Sequence, residues 1–241
     1  MSRNIEYEYE DIIRHDCVTI GRMAPDFTTL STEGVVTLSQ YRGKWVVLVS
    51  EPGDFAATST TSLLELTKHY EEFVERNVQI LVLTIDNNFA NIEWKSDILE
   101  IYGLVVPFPL LEDRNADIAR KYGVVNPDRI YEDSVRDLFI ISPEGKICAI
   151  LTYPVSCGRN TYEVLRIIDS LQLTEAYNVY TPSNWMPGYP VMVPTTHDFN
   201  EAMNRLFNSQ DEGLYCPNWY SCFKDYYSLG KNNQKNSEAN E

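Results

Sequence analysis

Four short runs of apolar, β-branched-rich residues constrain this chain most: Trp45 to Ser50, Val78 to Ile85, Asp137 to Ser142 and Lys146 to Tyr153. Their length and composition predict buried central strands. What separates them decides how they pair. Between the first two runs, Leu63, Leu66, Tyr70 and Phe73 recur at spacings of three and four, with Glu65, Lys68 and Glu72 on the opposite face. That periodicity predicts an amphipathic crossover helix. Ser62 and Glu65 have the spacing of a capping box, although Ser59 or Thr60 could equally begin the helix. Asn88 to Tyr102 and Ala116 to Tyr122 read as helices, with Pro107 and Pro109 breaking the stretch between them. Only Pro143, Glu144 and Gly145 join the third and fourth runs, a connection short enough to make them an antiparallel hairpin. An amphipathic helix, Tyr162 to Leu171, follows.

The order strand, helix, strand, helix, hairpin, helix is that of an α/β, thioredoxin-like mixed sheet flanked by helices, parallel in one half and antiparallel in the other. Ile20 to Gly43, with its polar Ser31 to Gly34 turn, supplies an extra hairpin at the front. From Thr174 the pattern changes: Pro182, Pro187, Pro190 and Pro194 punctuate an aromatic-rich stretch without sustained periodicity, and Asp198 to Asn208 reads as a short helix. The expected organisation is an acidic N-terminal segment (1–18), a thioredoxin-like domain (19–173), a C-terminal arm domain (174–225) and a disordered tail (226–241), whose last residues from Lys231 lack any large apolar side chain.

Charge excludes several classes of function. Twenty Lys and Arg against thirty-five Asp and Glu leave a formal charge of −15, a field that repels phosphate backbones and anionic lipid. No nucleic-acid partner is expected. No apolar run approaches the eighteen or so residues of a membrane span, so no membrane partner is expected either. The first eleven residues include Glu6, Glu8, Glu10 and Asp11 rather than a basic-then-apolar leader, and the five cysteines are an odd number. A reducing cytoplasm is the expected location.

Ordered short motifs carry a family resemblance over about two hundred residues. Ile20-Gly21-Arg22-Met23-Ala24-Pro25-Asp26-Phe27, then Leu38 to Gly43 and Lys44-Trp45-Val46-Val47-Leu48, resemble the opening of a peroxiredoxin. Thr84-Ile85-Asp86 with Trp94, Phe108-Pro109-Leu110-Leu111 with Asp113, Val135-Arg136, Tyr153-Pro154 and Gly158-Arg159-Asn160 keep the family's order. Pro182, Asn184-Trp185 and Val193-Pro194 resemble the one-cysteine-like class with its long C-terminal domain. Cys216 and Cys222 resemble the resolving-cysteine tail of that class's archaeal members.

The resemblance implies thiol-dependent reduction of hydrogen peroxide or alkyl hydroperoxides, without cofactor or metal. That chemistry needs a thiolate to attack one peroxide oxygen, favoured by a helix N-terminus and neighbouring cations. A Thr hydroxyl and an Arg guanidinium then stabilise charge on the leaving oxygen. The aligned stretch, Pro52 to Thr61, keeps Pro52, Asp54, Phe55, Thr60 and Thr61. It places Ala56 at the Thr position and Ser59 at the peroxidatic Cys position, and Glu51 stands where the class often has His. A serine hydroxyl is a far poorer nucleophile and cannot cycle through sulfenic acid. By resemblance Arg136 and Arg159 converge on this position, and without a thiolate they need another anion. Glu51 is the candidate to pair with one of them and fill the pocket, against a purely structural role for both arginines in holding strand ends.

The remaining thiols leave further readings open. Cys157, directly before Gly158-Arg159, is either a relocated nucleophile near the arginines or, the reading favoured here, a small residue packed at a strand end. Cys148 reads as core, and Cys17 lies among acidic neighbours that oppose ionisation. Cys216 and Cys222 could form a disulfide with each other or an exchangeable dithiol, or persist as relics in a docked aromatic tail. With His197 they fall one ligand short of a zinc site. The primary expectation is a peroxiredoxin homologue of degenerate active site. The alternatives are an active thiol peroxidase, with Ser59 an engineered replacement of Cys or Cys157 as nucleophile, and a non-catalytic scaffold or regulator that assembles with active paralogues. Three departures in one shell, Glu51, Ala56 and Ser59, argue against engineering, which would alter one residue. Expected partners are a second copy in a homodimer, or a ring of dimers, and peroxide with a thiol reductant if the chain is active.

Overall fold

A computed structural model describes residues 18–125 and 136–229 of the chain. Cys17, Val135, most of the acidic N-terminal segment and the stretch from Lys231 lie outside the described residues. By their contacts the residues divide into two compact units, Met1–Thr161 and Tyr162–Glu241.

The first unit is built on a seven-stranded sheet in the order β2-β1-β5-β4-β3-β6-β7. Its centre is β3 (Trp45–Glu51), in which all seven residues are buried. β3 runs parallel to β4 (Val78–Thr84), with Glu51 opposite Thr84 at the end of the register. On its other side β3 pairs antiparallel with β6 (Arg136–Ile141), which in turn pairs antiparallel with β7 (Ile147–Tyr153) across the expected Pro143–Gly145 turn. Gly145 takes φ +89°, a left-handed conformation that the tight connection needs. The front hairpin is β1 (Thr28–Ser31) with β2 (Gly34–Thr37), and β5 (Leu110–Glu112) extends the parallel half. The mixed sheet of the thioredoxin-like class is therefore present, parallel and antiparallel in the expected halves.

Alternation along the strands distributes the core over both faces. Val46 and Leu48 of β3, Leu81 and Leu83 of β4, and Phe139 and Ile141 of β6 join one cluster with Phe27, Leu38, Tyr122 and Ile147. Each such buried side chain contributes about 1.5–3 kcal/mol. The crossover between β3 and β4 is two helices, α1 (Ala57–Lys68) and α2 (Tyr70–Glu75), separated at His69. The expected Ser62–Glu65 capping box is not formed. The helix begins five residues earlier, so Ser62 sits inside it and is buried. α3 (Asn88–Tyr102) has the expected bounds: the Asn87 side chain accepts hydrogen bonds from the N–H groups of Phe89 and Ala90, and Gly103, at φ +67°, ends it. The expected helix at Ala116–Tyr122 is α4 (Asp117–Lys121).

α5 (Thr161–Tyr177) runs six residues beyond the expected Leu171, and from Tyr162 onward it groups with the second unit rather than with the sheet domain. That unit holds a three-stranded sheet of β8 (Val191–Met192), β10 (Ser221–Lys224) and β9 (Leu214–Asn218), in that order. α6 (Phe199–Asn208) follows its Asp198 cap, as expected. Val179, Trp185 and Val191 form a small core against which Leu173, Tyr226 and Leu229 pack. Tyr226–Ser228, expected to begin a disordered tail, form a 3-10 turn instead.

Candidate functional site

β3 ends at Glu51, and the chain turns through Pro52, Gly53, Asp54 and Phe55 before α1 begins. Phe55 holds φ +58°, a left-handed conformation that costs a non-glycine residue about 1 kcal/mol. Ala56, the N-cap of α1, is extended at φ −68° and ψ 139° and offers no side-chain hydrogen bond to the helix. Ser59 therefore lies in the first turn, fully buried, where unpaired N–H groups give the helix its positive end.

The Glu51 carboxylate, only 3% exposed, collects four hydrogen bonds. Its Oε2 accepts from the Ser59 hydroxyl at 2.8 Å and from Arg136 Nε at 3.0 Å. Its Oε1 accepts from Arg136 Nη2 at 3.2 Å and from Arg159 Nη1. Both arginines are thus anchored on one carboxylate. Arg136, the first residue of β6, is completely buried and also donates to the Cys157 carbonyl at 2.9 Å and the Thr58 carbonyl at 3.3 Å. Arg159, after β7, donates to the carbonyls of Ser50 at 2.6 Å and Asp137 at 3.1 Å and to Ser62 Oγ at 3.3 Å.

Two guanidiniums and one carboxylate leave a formal charge of +1, which these four carbonyls solvate in place of water. Burial pulls Arg159 down from its ordinary value; Arg136 adds to this, whereas Glu51 and Asp137 oppose it. Burial pushes Asp137 up, with a Thr152 hydrogen bond and Arg159 opposing.

The structure thus brings Glu51, Ser59, Arg136 and Arg159 together, with Ala56 and Pro52 on the loop that connects two of them. The pairing expected for one arginine includes both. Cys157 is a free, exposed thiol, so the favoured reading of it as a packed strand-end residue is corrected: only its carbonyl reaches the cluster, through Arg136. Cys148 is half-buried on the edge strand β7 rather than in the core. Cys216 and Cys222 are bonded to each other as a disulfide between β9 and β10. Among the described residues no group of three or more His, Cys, Asp or Glu side chains could hold a metal ion.

A family model supplies the deciding observation: the AhpC/TSA family matches residues 20–150. The chain belongs to the peroxiredoxin family. A second model, the C-terminal domain of 1-Cys peroxiredoxin, matches residues 170–209. Peroxiredoxin 2 of Caldanaerobacter subterraneus subsp. tengcongensis is 44% identical over 215 residues, 89% of this chain and 96% of that one. The peroxiredoxin of Methanosarcina mazei is 40% identical over 212 residues, 85% of this chain and 96% of that one. The yeast mitochondrial 1-Cys peroxiredoxin superposes with a TM-score of 0.77 at 34% identity, covering 86% of this chain and 99% of that chain. A Cys-to-Ser mutant of the peroxiredoxin 6 of Arenicola marina superposes at 0.76 with 32% identity, covering 87% and 98%. This peroxiredoxin is accordingly related to thiol-dependent peroxidases.

Sequence reasoning missed two things beside the cluster. One is Ser62, read as a helix cap and found under Arg159. The other is Asp54 with Asp86, whose carboxylate accepts from the Asp54 backbone N–H at 2.7 Å. The signal was available in the strand register: Asp54 lies three residues beyond Glu51 and Asp86 two beyond Thr84, and those two strand ends are partners.

Proposed function

We propose that this peroxiredoxin does not reduce peroxide at position 59 and that its peroxide pocket is closed by an internal ion cluster. One observation carries the reading: the Glu51 carboxylate occupies both arginines and the Ser59 hydroxyl at once. A peroxide molecule would have to displace a bound anion to reach either guanidinium, and it would find neither thiolate nor the Thr hydroxyl. A non-catalytic, assembling role follows. The chain acts as a scaffold or regulator that forms homodimers or rings of dimers, or joins active paralogues, in the cytoplasm. The domain assignment that goes with this reading is a peroxidase-type sheet domain carrying an arm for assembly, and sedimentation velocity of the purified chain alone and with a paralogue tests the assembly.

A second reading is favoured by one observation, the exposed free thiol of Cys157 whose carbonyl is bound by Arg136. In it the Cys157 thiolate attacks a peroxide oxygen, breaks the O–O bond to give sulfenic acid and releases water after protonation, and an added dithiol reduces the sulfenic acid. The test is hydrogen peroxide consumption by the reduced protein with a dithiol, alongside Cys157→Ser. No consumption above a blank by either supports the closed site. Consumption that vanishes in Cys157→Ser establishes the second reading, and consumption that persists in it overturns both.

A further inference from the structure

The three-stranded sheet of the second unit ends in a groove of about 600 Å³, where β8 and β9 begin and β10 stops. Its wall is apolar. Tyr215 on β9 and Phe223 on β10 are cross-strand partners, and their rings lie 6.3 Å apart at an angle of 35°. Pro190 and Leu214 extend that surface. The Cys216–Cys222 disulfide joins the residue after Tyr215 to the residue before Phe223, so the two strands that carry the rings are tied together beside them. A wall fixed in advance loses little conformational freedom when a ligand arrives. Tyr215 is nevertheless 70% exposed, which leaves apolar ring area in water for a flat apolar partner to cover.

The charges at the groove decide what else that partner carries. Lys224 and Asp225 are the charged residues of the lining. Asp225 is already engaged: it caps the 3-10 turn Tyr226–Ser228, and its carboxylate accepts the Tyr227 N–H at 3.2 Å. Lys224 is half-buried, and among the described residues no ion pair holds its ammonium. The chain as a whole carries a formal charge of −15, so its long-range field repels anions. An ammonium half withdrawn from water beside an apolar wall attracts an anion at short range, where that field is screened. The volume is that of pockets that hold small organic molecules, about 300–1,000 Å³.

We propose that this groove binds a small aromatic carboxylate, with its ring against Tyr215 and Phe223 and its carboxylate on the Lys224 ammonium. The ring supplies the apolar area, and the carboxylate supplies the anion that the lining lacks for Lys224. For a single-ring acid of about eleven non-hydrogen atoms, an ordinary gain per atom sets Kd on the order of 1 mM. The site lies wholly within the second unit and uses no residue of the ion cluster, so it stands whether or not position 59 is catalytic.

Saturation-transfer NMR titrations of the full chain with 3-phenylpropionate and with its neutral isostere 3-phenylpropanamide, at neutral pH, test this. The acid is expected to bind at least about threefold more tightly than the amide, the size of a half-exposed ion pair. Lys224→Gln is expected to bring the acid down to the affinity of the amide and to leave the amide unchanged. Tyr215→Ala is expected to weaken both ligands at least about threefold, because it removes the exposed ring of the wall. Absence of saturable acid binding up to about 10 mM overturns the proposal. So does equal affinity of the unaltered chain for acid and amide, and so does a preference for the acid that survives Lys224→Gln. Unchanged binding of both ligands by Tyr215→Ala places them elsewhere and overturns it equally. Should Tyr215→Ala not fold, Lys224→Gln read with both ligands decides alone.

Discussion

Replacing Glu51 by Gln is the sharpest perturbation of the cluster, because it keeps the side-chain volume and removes only the charge that binds two buried guanidiniums. The carboxylate accepts from Ser59, twice from Arg136 and once from Arg159. An amide offers one oxygen to those four donors and turns an NH2 group toward N–H bonds, so at least one buried donor is orphaned beside two uncompensated cations. Removing one partner of a buried ion pair costs about 3–5 kcal/mol. With a urea slope of about 3 kcal/mol per molar, the midpoint of the first unit's unfolding should drop by about 1–2 M. Trp45 and Trp94 lie in that unit and report its transition separately once Trp185 and Trp219 of the second unit are replaced by Phe in both proteins compared.

The companion variant, Glu51→Ala, opens a space between the two arginines large enough for a small carboxylate. Acetate or formate should then raise its midpoint by about RT ln(1 + [L]/Kd), about 2.7 kcal/mol at one hundred times Kd, and leave the unaltered protein where chloride of equal ionic strength leaves it. A Glu51→Gln midpoint within 0.3 M of the unaltered protein, on the order of 1 kcal/mol, refutes the assigned role. Equal stabilisation of both proteins by acetate refutes it too.

The remaining expectations address other parts of the molecule. Ser59→Cys alone should leave peroxide consumption at the level of a free thiol, because the Glu51 carboxylate at that position opposes thiolate formation; Glu51→His, Ala56→Thr and Ser59→Cys combined should consume peroxide at least tenfold faster in the same assay. A single variant as fast as the combination contradicts the role given to Glu51. Reduction of Cys216–Cys222, which closes a short loop with a sequence separation of 6, should cost the hairpin about 2 kcal/mol. Amide exchange over residues 214–224 should then quicken about 30-fold while β3 is unaffected. Asn87→Ala removes the cap that bonds Phe89 and Ala90 and should cost about 1 kcal/mol in chemical denaturation, with Asn87→Asp restoring most of it.

What the sequence makes legible follows from the range of the forces involved. The bounds of β3, β4, β6 and β7 are set by runs in which nearly every residue is apolar, and burial rewards such runs wherever they fall in the chain. The Asn88–Tyr102 helix is legible at both ends because local chemistry marks them: an Asx cap at Asn87 and a left-handed glycine at Gly103. The start of α1 is not marked in this way. Ala56 caps nothing, and the first turn is fixed instead by tertiary bonds, Ser59 to Glu51 and the Thr58 hydroxyl to the Val155 carbonyl. A local reading therefore leaves the start open among Ser59, Thr60 and Ser62, of which Ser62 alone has the capping-box spacing to a Glu, and each lies inside the helix. The small sheet of the second unit escapes for a related reason: β8 is two residues long and β9 contains Pro217, so neither shows a period.

The ion cluster lies between these cases. Residue identities at 51, 56 and 59 announce that the peroxide chemistry is altered, but not that both arginines converge on one carboxylate, because that depends on how β3, α1, β6 and the turn after β7 meet. Physically the departures at 51 and 59 are one change. A thiolate at position 59 beside Glu51 would set two anions 3 Å or so apart, and each would disfavour ionisation of the other. A serine at 59 without Glu51 would leave two buried guanidiniums with no hydrogen-bonded anion, Asp137 acting on Arg159 only at longer range. Only the pair is self-consistent: the hydroxyl donates to the carboxylate, and the carboxylate neutralises one arginine while carbonyls solvate the other. A double-mutant cycle over Glu51→Gln and Ser59→Ala therefore has a definite expected sign. The second substitution should cost less once the first is made, by about 1–2 kcal/mol, because the hydrogen bond it removes is weaker when its acceptor is neutral. Additive costs would show two independent substitutions that happen to be neighbours.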